Sequence, residues 1–161
     1  MPNATRPPSI TPTTPLDPEV ILQRNADALF RSALECLRQR DRAARLTASD
    51  EPQLEHQHVV AICVICDQSL SELAEAYASV ATKLTAPSAE PWRQKAHGLW
   101  QASREYVRRH ASCDALDKRV SAKHSAENLA GMKMEYEFEA SALLALRHAA
   151  DAYKKARPGL A

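Results

Sequence analysis

The chain has 161 residues and a formal net charge of +1, with 21 Lys and Arg set against 20 Asp and Glu, so no excess of charge points to nucleic acid or a strongly charged surface. Three glycines leave no Gly-rich phosphate loop: neither G-x-x-x-x-G-K-[ST] nor G-x-G-x-x-G occurs. The longest unbroken apolar run, Val59 to Cys66, has eight residues, against roughly 20 for a membrane span.

Twenty-nine alanines against eleven Val and Ile favour helix over sheet. Residues 1–16 hold five of the ten prolines, a composition that reads as a disordered Pro/Thr-rich N-terminal tail. No apolar leader precedes it, and four cysteines in a chain this long do not make a disulfide scaffold, so the expected compartment is the reducing cytoplasm.

The first helix is expected over 18–47. Asp17 is placed to cap it, Pro18 suits the first helical position, and Glu19 puts charge in the first turn. Leu22, Ala26, Leu29, Ala33, Cys36, Arg40 and Ala43 then recur at alternating steps of four and three. The second helix, over 51–85, starts with capping-box spacing between Asp50 and Gln53. Its seam runs His56, Val59, Cys63, Cys66, Leu70, Leu73, Tyr77, Val80 and Leu84, a sustained heptad.

The third helix is expected over 90–122, with Trp92, Ala96, Leu99, Ser103, Tyr106, His110, Cys113, Asp117 and Val120 on its seam. The fourth, over 126–157, starts at Ser125 as cap and carries Leu129, Met132, Tyr136, Glu139, Leu143, Leu146, Ala150 and Tyr153. Four amphipathic segments of similar length with short connections give an all-α fold, an up-down-up-down antiparallel four-helix bundle over 17–157.

Antiparallel folding turns positions into layers. It sets Cys63-x-x-Cys66 opposite His110-x-x-Cys113, both pairs at the i,i+3 spacing that shares a helix face. It also brings Cys36, Glu139 and Glu135 to that height. Thiolates with an imidazole make a soft tetrahedral set suited to Zn²⁺ or Cu(I), with Glu139 placed to orient His110. The candidate metal ligands are therefore Cys63, Cys66, His110, Cys113, Cys36 and Glu139. The competing reading is structural, since cysteine is among the most buried residue types and behaves as a small apolar side chain.

Arg40 is expected to pair with Asp117 in a polar layer near His56 and His58. The other half, from Leu22 to Phe30 and Leu143 to Tyr153, is expected to form a dry core. H-E-x-x-H, G-x-S-x-G and paired E-x-x-H motifs are missing, so the sequence leans away from an enzyme. Two functions stay open: a non-enzymatic bundle with a buried soft-metal site, or a protein-interaction or assembly module, possibly homo-oligomeric, with cysteines as core filler. Trp92, Trp100 and Tyr106 are the candidate anchors of the second. Neither nucleic acid nor membrane is an expected partner.

Overall fold

A computed structural model describes residues 16–48, 53–84, 90–157 and 159–160. The tail at 1–15 and the capping box at Asp50 lie outside the described residues. Four helices follow in order: α1 (Pro18–Thr47), α2 (Gln53–Ala81), α3 (Pro91–Ala122) and α4 (Ala126–Ala156). Among the described residues there is no strand.

The helix starts follow local chemistry. The Asp17 carboxylate accepts from the Glu19 amide, with Pro18 in the first turn. The Ser125 hydroxyl accepts from the Asn128 amide. Each satisfies an amide that the first helical turn leaves without an internal partner. α2 ends at Ala81, four residues before the expected 85, and passes through hydrogen-bonded turns at Thr82, Lys83 and Leu84.

Cross-helix contacts establish the antiparallel course. Ser32 meets Ser69 and Arg42 meets Glu55 between α1 and α2. Tyr77 faces Trp100 between α2 and α3. Asp117 meets Tyr136 between α3 and α4, and Arg147 reaches Asp41 between α4 and α1. The α1–α2 and α3–α4 faces are the extensive ones, and among the described residues the α2 and α4 backbones do not approach closely.

The core follows the predicted seams closely in α1, α2 and α3. Leu22, Leu29, Phe30, Leu70, Leu99 and Leu146 are fully buried. The α4 seam holds only from Ala142 onward. Leu129 and Tyr136, expected inside, are 45% and 42% exposed, and the Tyr136 hydroxyl donates to Asp117 on α3.

Candidate functional site

A buried carboxylate, Asp67 on α2, organises the polar half of the bundle. It is 8% exposed. One oxygen accepts from the Cys36 thiol at 3.1 Å and from the Tyr106 hydroxyl at 3.2 Å. The other accepts from the Arg40 guanidinium. Cys36 and Arg40 share a face of α1, one turn apart, and Tyr106 belongs to α3, so one carboxylate ties three helices.

His110 extends the cluster to the fourth. Its Nδ1 lies 2.6 Å from Glu139 on α4. Its Nε2 lies 3.0 Å from the Arg40 guanidinium and 3.4 Å from Asp67. With a neutral ring, Nδ1–H donates to Glu139 and Nε2 accepts from Arg40. The Tyr106 ring stacks beside the imidazole at 6.2 Å. Hydrogen bonding to Glu139 raises the His110 pKa, and the same bond lowers that of Glu139.

The four cysteines are all free and buried, and burial pushes every one of their pKa values up. Cys113, next to Glu139, is pushed up to about 12. For Cys36 the neighbouring Asp67 charge acts in the same direction as burial. These are protonated thiols. Cys36 uses its proton as a hydrogen-bond donor, which a thiolate cannot do.

The thiols of the expected layer have different neighbours. Cys36 and Cys63 lie by Asp67 and Arg40, whereas Cys113 lies by Glu139. Cys66 instead lines a groove between α1 and α2 with Arg31, Ser32, Glu35 and Ser69. Cys66 also lies near Cys63, Asp67 and Arg40. Among the described residues, no group of three or more His, Cys, Asp or Glu side chains is arranged to hold a metal ion.

Other expectations change as well. Arg40 pairs with Asp67 rather than Asp117, and Asp117 instead accepts from the Tyr136 hydroxyl at 2.6 Å. The opposite half is not uniformly dry. Asp27, also 8% exposed, accepts from the Tyr153 hydroxyl at 2.6 Å and from Arg157 at 2.9 Å. Sequence reasoning missed both aspartates because each sits one residue after a seam position, on the shoulder of its helix. A signal was available for Asp67 alone, which has no other Asp, Glu, Lys or Arg between Glu55 and Glu72; Asp27, between Arg24 and Arg31, carried none.

Trp92 and Tyr106 are core residues at 6% and 0% exposure, so neither can anchor a partner. Trp100 is the one of the three that reaches the surface. It lines an open groove of about 620 Å³ between α2 and α3 with Ser71, Glu75 and Arg104. Arg104 lies over its ring at 5.2 Å. The largest exposed apolar side chains cluster elsewhere, on the outside of α2 and the first half of α4. No helix is long and apolar enough to cross a membrane. No known protein family matches the chain, and neither a curated protein nor a solved structure is significantly similar to it.

Proposed function

We propose that the protein is a non-enzymatic helical interaction module that docks a partner helix on the outer face of α2. One observation carries this reading. Val60, Val64 and Ile65 are 44%, 59% and 66% exposed on adjoining turns of one helix with exposed Ala61 between them, and Leu54, 78% exposed, stands apart near the helix start. Isolated surface leucines and valines are ordinary, but a contiguous apolar strip is a mark of interaction sites. Within Gln53–Ala81 there is no Lys or Arg to break it up. The buried polar groups support the same reading from the other side. Asp67, His110 and Glu139 are engaged with one another or with Arg40, Tyr106 and Cys36, and the thiols keep their protons.

The test is a Val64→Lys/Ile65→Lys variant, which leaves the core untouched. Wild type is expected to hold its partner, either a second copy in sedimentation or another protein captured from source extract, and the variant to lose it. Equal behaviour of the two in both measurements overturns the reading. The soft-metal reading of Cys63, Cys66, His110 and Cys113 is separated by melting wild type, Cys63→Ser and Cys63→Ala with Zn²⁺ or Cu(I) under reductant. A metal ligated at 100 times its dissociation constant would add about 2.7 kcal/mol. The expected result is no metal-dependent rise. A rise that disappears in Cys63→Ser would establish the metal site instead.

A further inference from the structure

We infer that the helix docked on α2 lies along its α1 side and carries a row of carboxylates on the edge that faces α1. This rests on the interaction reading above and names the chemistry of the partner. Arg24, Arg31, Arg38 and Arg45 follow one another at intervals of seven, and all four are exposed. Seven residues are about two turns, so the four stand on one ridge of α1 roughly 10 Å apart. Among the described residues Arg24, Arg31 and Arg45 have no carboxylate partner. Arg38 meets Glu35 loosely, at 3.7 Å and largely in water. The acids of that ridge are already engaged. Glu35 also accepts from Gln39 at 2.7 Å, and Asp41 accepts from Arg147 of α4 at 2.8 Å. A chain of net charge +1 thus gathers uncompensated positive charge along one helix.

Beside the ridge runs an open groove of about 450 Å³ between α1 and α2. Arg31 stands on its rim, and Ala28, Ile65, Cys66 and Leu73 are its apolar walls. Ile65 belongs also to the exposed strip of α2, so groove and strip are one surface. The α2 side has no Lys or Arg from Gln53 to Ala81, and the exposed charge it adds at this level is Glu72. Charge is therefore one-sided, positive along α1 and neutral to negative along α2.

A helix laid in this groove buries its apolar seam against Ala28, Ile65 and Leu73 and meets the arginines with one edge only. Helices packed side by side share a common heptad rise, so a carboxylate at every seventh position comes level with Arg24, Arg31 and Arg38 in turn. Such flanking charges choose the partner and its register more than they add affinity. Phosphates of a nucleic acid suit the same arginines, but a phosphate backbone brings no apolar side chain to fill the groove beside them.

The test uses synthetic helices of about three heptads, read by fluorescence anisotropy on the full chain. The first has a leucine seam and Glu at every seventh position on one edge. The second has Lys in place of those Glu. The third keeps the Glu and has Gln in place of the seam. A double-stranded DNA oligonucleotide is the fourth probe. The first helix is expected to bind, more weakly as salt rises, and the other three probes to bind about tenfold or more weaker. Arg24→Glu/Arg31→Glu/Arg38→Glu is expected to weaken the first helix about tenfold or more and to favour the Lys helix instead. Lys95→Glu/Lys118→Glu/Lys133→Glu, the same change of net charge on α3 and α4, should behave as wild type, and Ile65→Gln should weaken the first helix without reversing the preference. Failure of wild type to bind the first helix, or binding unchanged in the arginine variant, overturns the acidic edge. DNA held more tightly than the first helix, and lost in the arginine variant, overturns it in favour of a nucleic acid. Glu and Lys helices held equally, and both lost in Val64→Lys/Ile65→Lys, overturn the acidic edge and leave the interaction reading standing. No helix bound, together with no Lys-sensitive partner in sedimentation or extract, removes both.

Discussion

Two buried aspartates hold the bundle, and they are built from the same parts. Asp67 takes Tyr106 and Arg40, and Asp27 takes Tyr153 and Arg157. The difference lies in what surrounds them. Asp27 joins α1 to α4 near the bundle end, where α4 finishes at Ala156, and Arg157 beyond it keeps 27% of its side chain in water. Asp67 sits mid-bundle and draws in a thiol, an imidazole and a second carboxylate from three other helices. The first is a clasp that shuts one end. The second sets the register of all four helices, because each contributes a group that must meet the others at one height. A polar residue at a single seam position is known to fix register in this way.

The largest separation between the two comes from deleting the carboxylates. Asp67→Ala leaves the Arg40 charge and the Tyr106 hydroxyl buried without their partner. Breaking a buried pair from one side costs about 3–5 kcal/mol, so the urea midpoint should fall steeply. Asp27→Ala strands the same two groups where water can reach Arg157, and a cost of about 1–3 kcal/mol is expected. Equal losses would show that the central layer has no special part in holding the fold.

Acidity sharpens the contrast, since only the Asp67 layer contains a histidine. His110 faces Glu139 from α4, Asp67 from α2 and Arg40 from α1, with Asp114 at 4.0 Å on its own helix. Its raised pKa, caused chiefly by Glu139, means that the folded state holds the proton more tightly than the unfolded chain. The stabilisation is therefore complete below the unfolded value of about 6.5 and is lost as pH climbs through the raised folded value. Glu139, lowered by the same bond, contributes above its ordinary carboxylate value and loses that contribution as pH falls through the depressed one. Between about pH 6.5 and 8, below the range where the buried thiols begin to cost stability, unfolding free energy should decline as pH rises in wild type and in Asp27→Ala. His110→Gln should remove that decline. A slope unchanged in His110→Gln would mean that another group carries the titration.

The seams made most of the fold legible. Leu22 through Cys36 and Val59 through Tyr77 are inside where the three-and-four spacing puts them, because burial of a helix stripe depends on period alone. Asp17 and Ser125 were readable as caps because capping is local. The site was half legible. Height along the bundle follows from counting residues from a turn, and that brought Cys36, Cys63, His110 and Glu139 into one layer. Direction around each helix does not follow from the seam alone. Cys66 turned out on the α1 side of α2, and Asp67, just off the seam, became the hub. Counting also ignores side-chain length. Counting places Arg40 opposite residue 58, yet its long side chain reaches Asp67, about two and a half turns further along α2.

The smallest expected effects test whether the thiols belong to that hub or merely fill space. Cys36 donates to Asp67 at 3.1 Å, whereas Cys63 has no hydrogen-bond partner among the described residues and is 2% exposed. Cys36→Ser keeps a donor, and a hydroxyl gives a better hydrogen bond to an ionised carboxylate than a thiol does. Cys36→Ala removes the donor and leaves a small void. Cys36→Ala should therefore cost about 1 kcal/mol more than Cys36→Ser. At Cys63 the order should reverse or vanish. A serine there must bury a hydroxyl, and its relief is to fold back on the carbonyl of Val59, as Ser103 does on Leu99 at 2.8 Å. Four urea unfolding curves decide it. If serine is the better replacement at both positions, Cys63 has a polar partner too, and the thiol layer extends further than Asp67. If alanine is the better one at both, the Cys36 hydrogen bond contributes nothing, and Asp67 is held by Arg40 and Tyr106 alone.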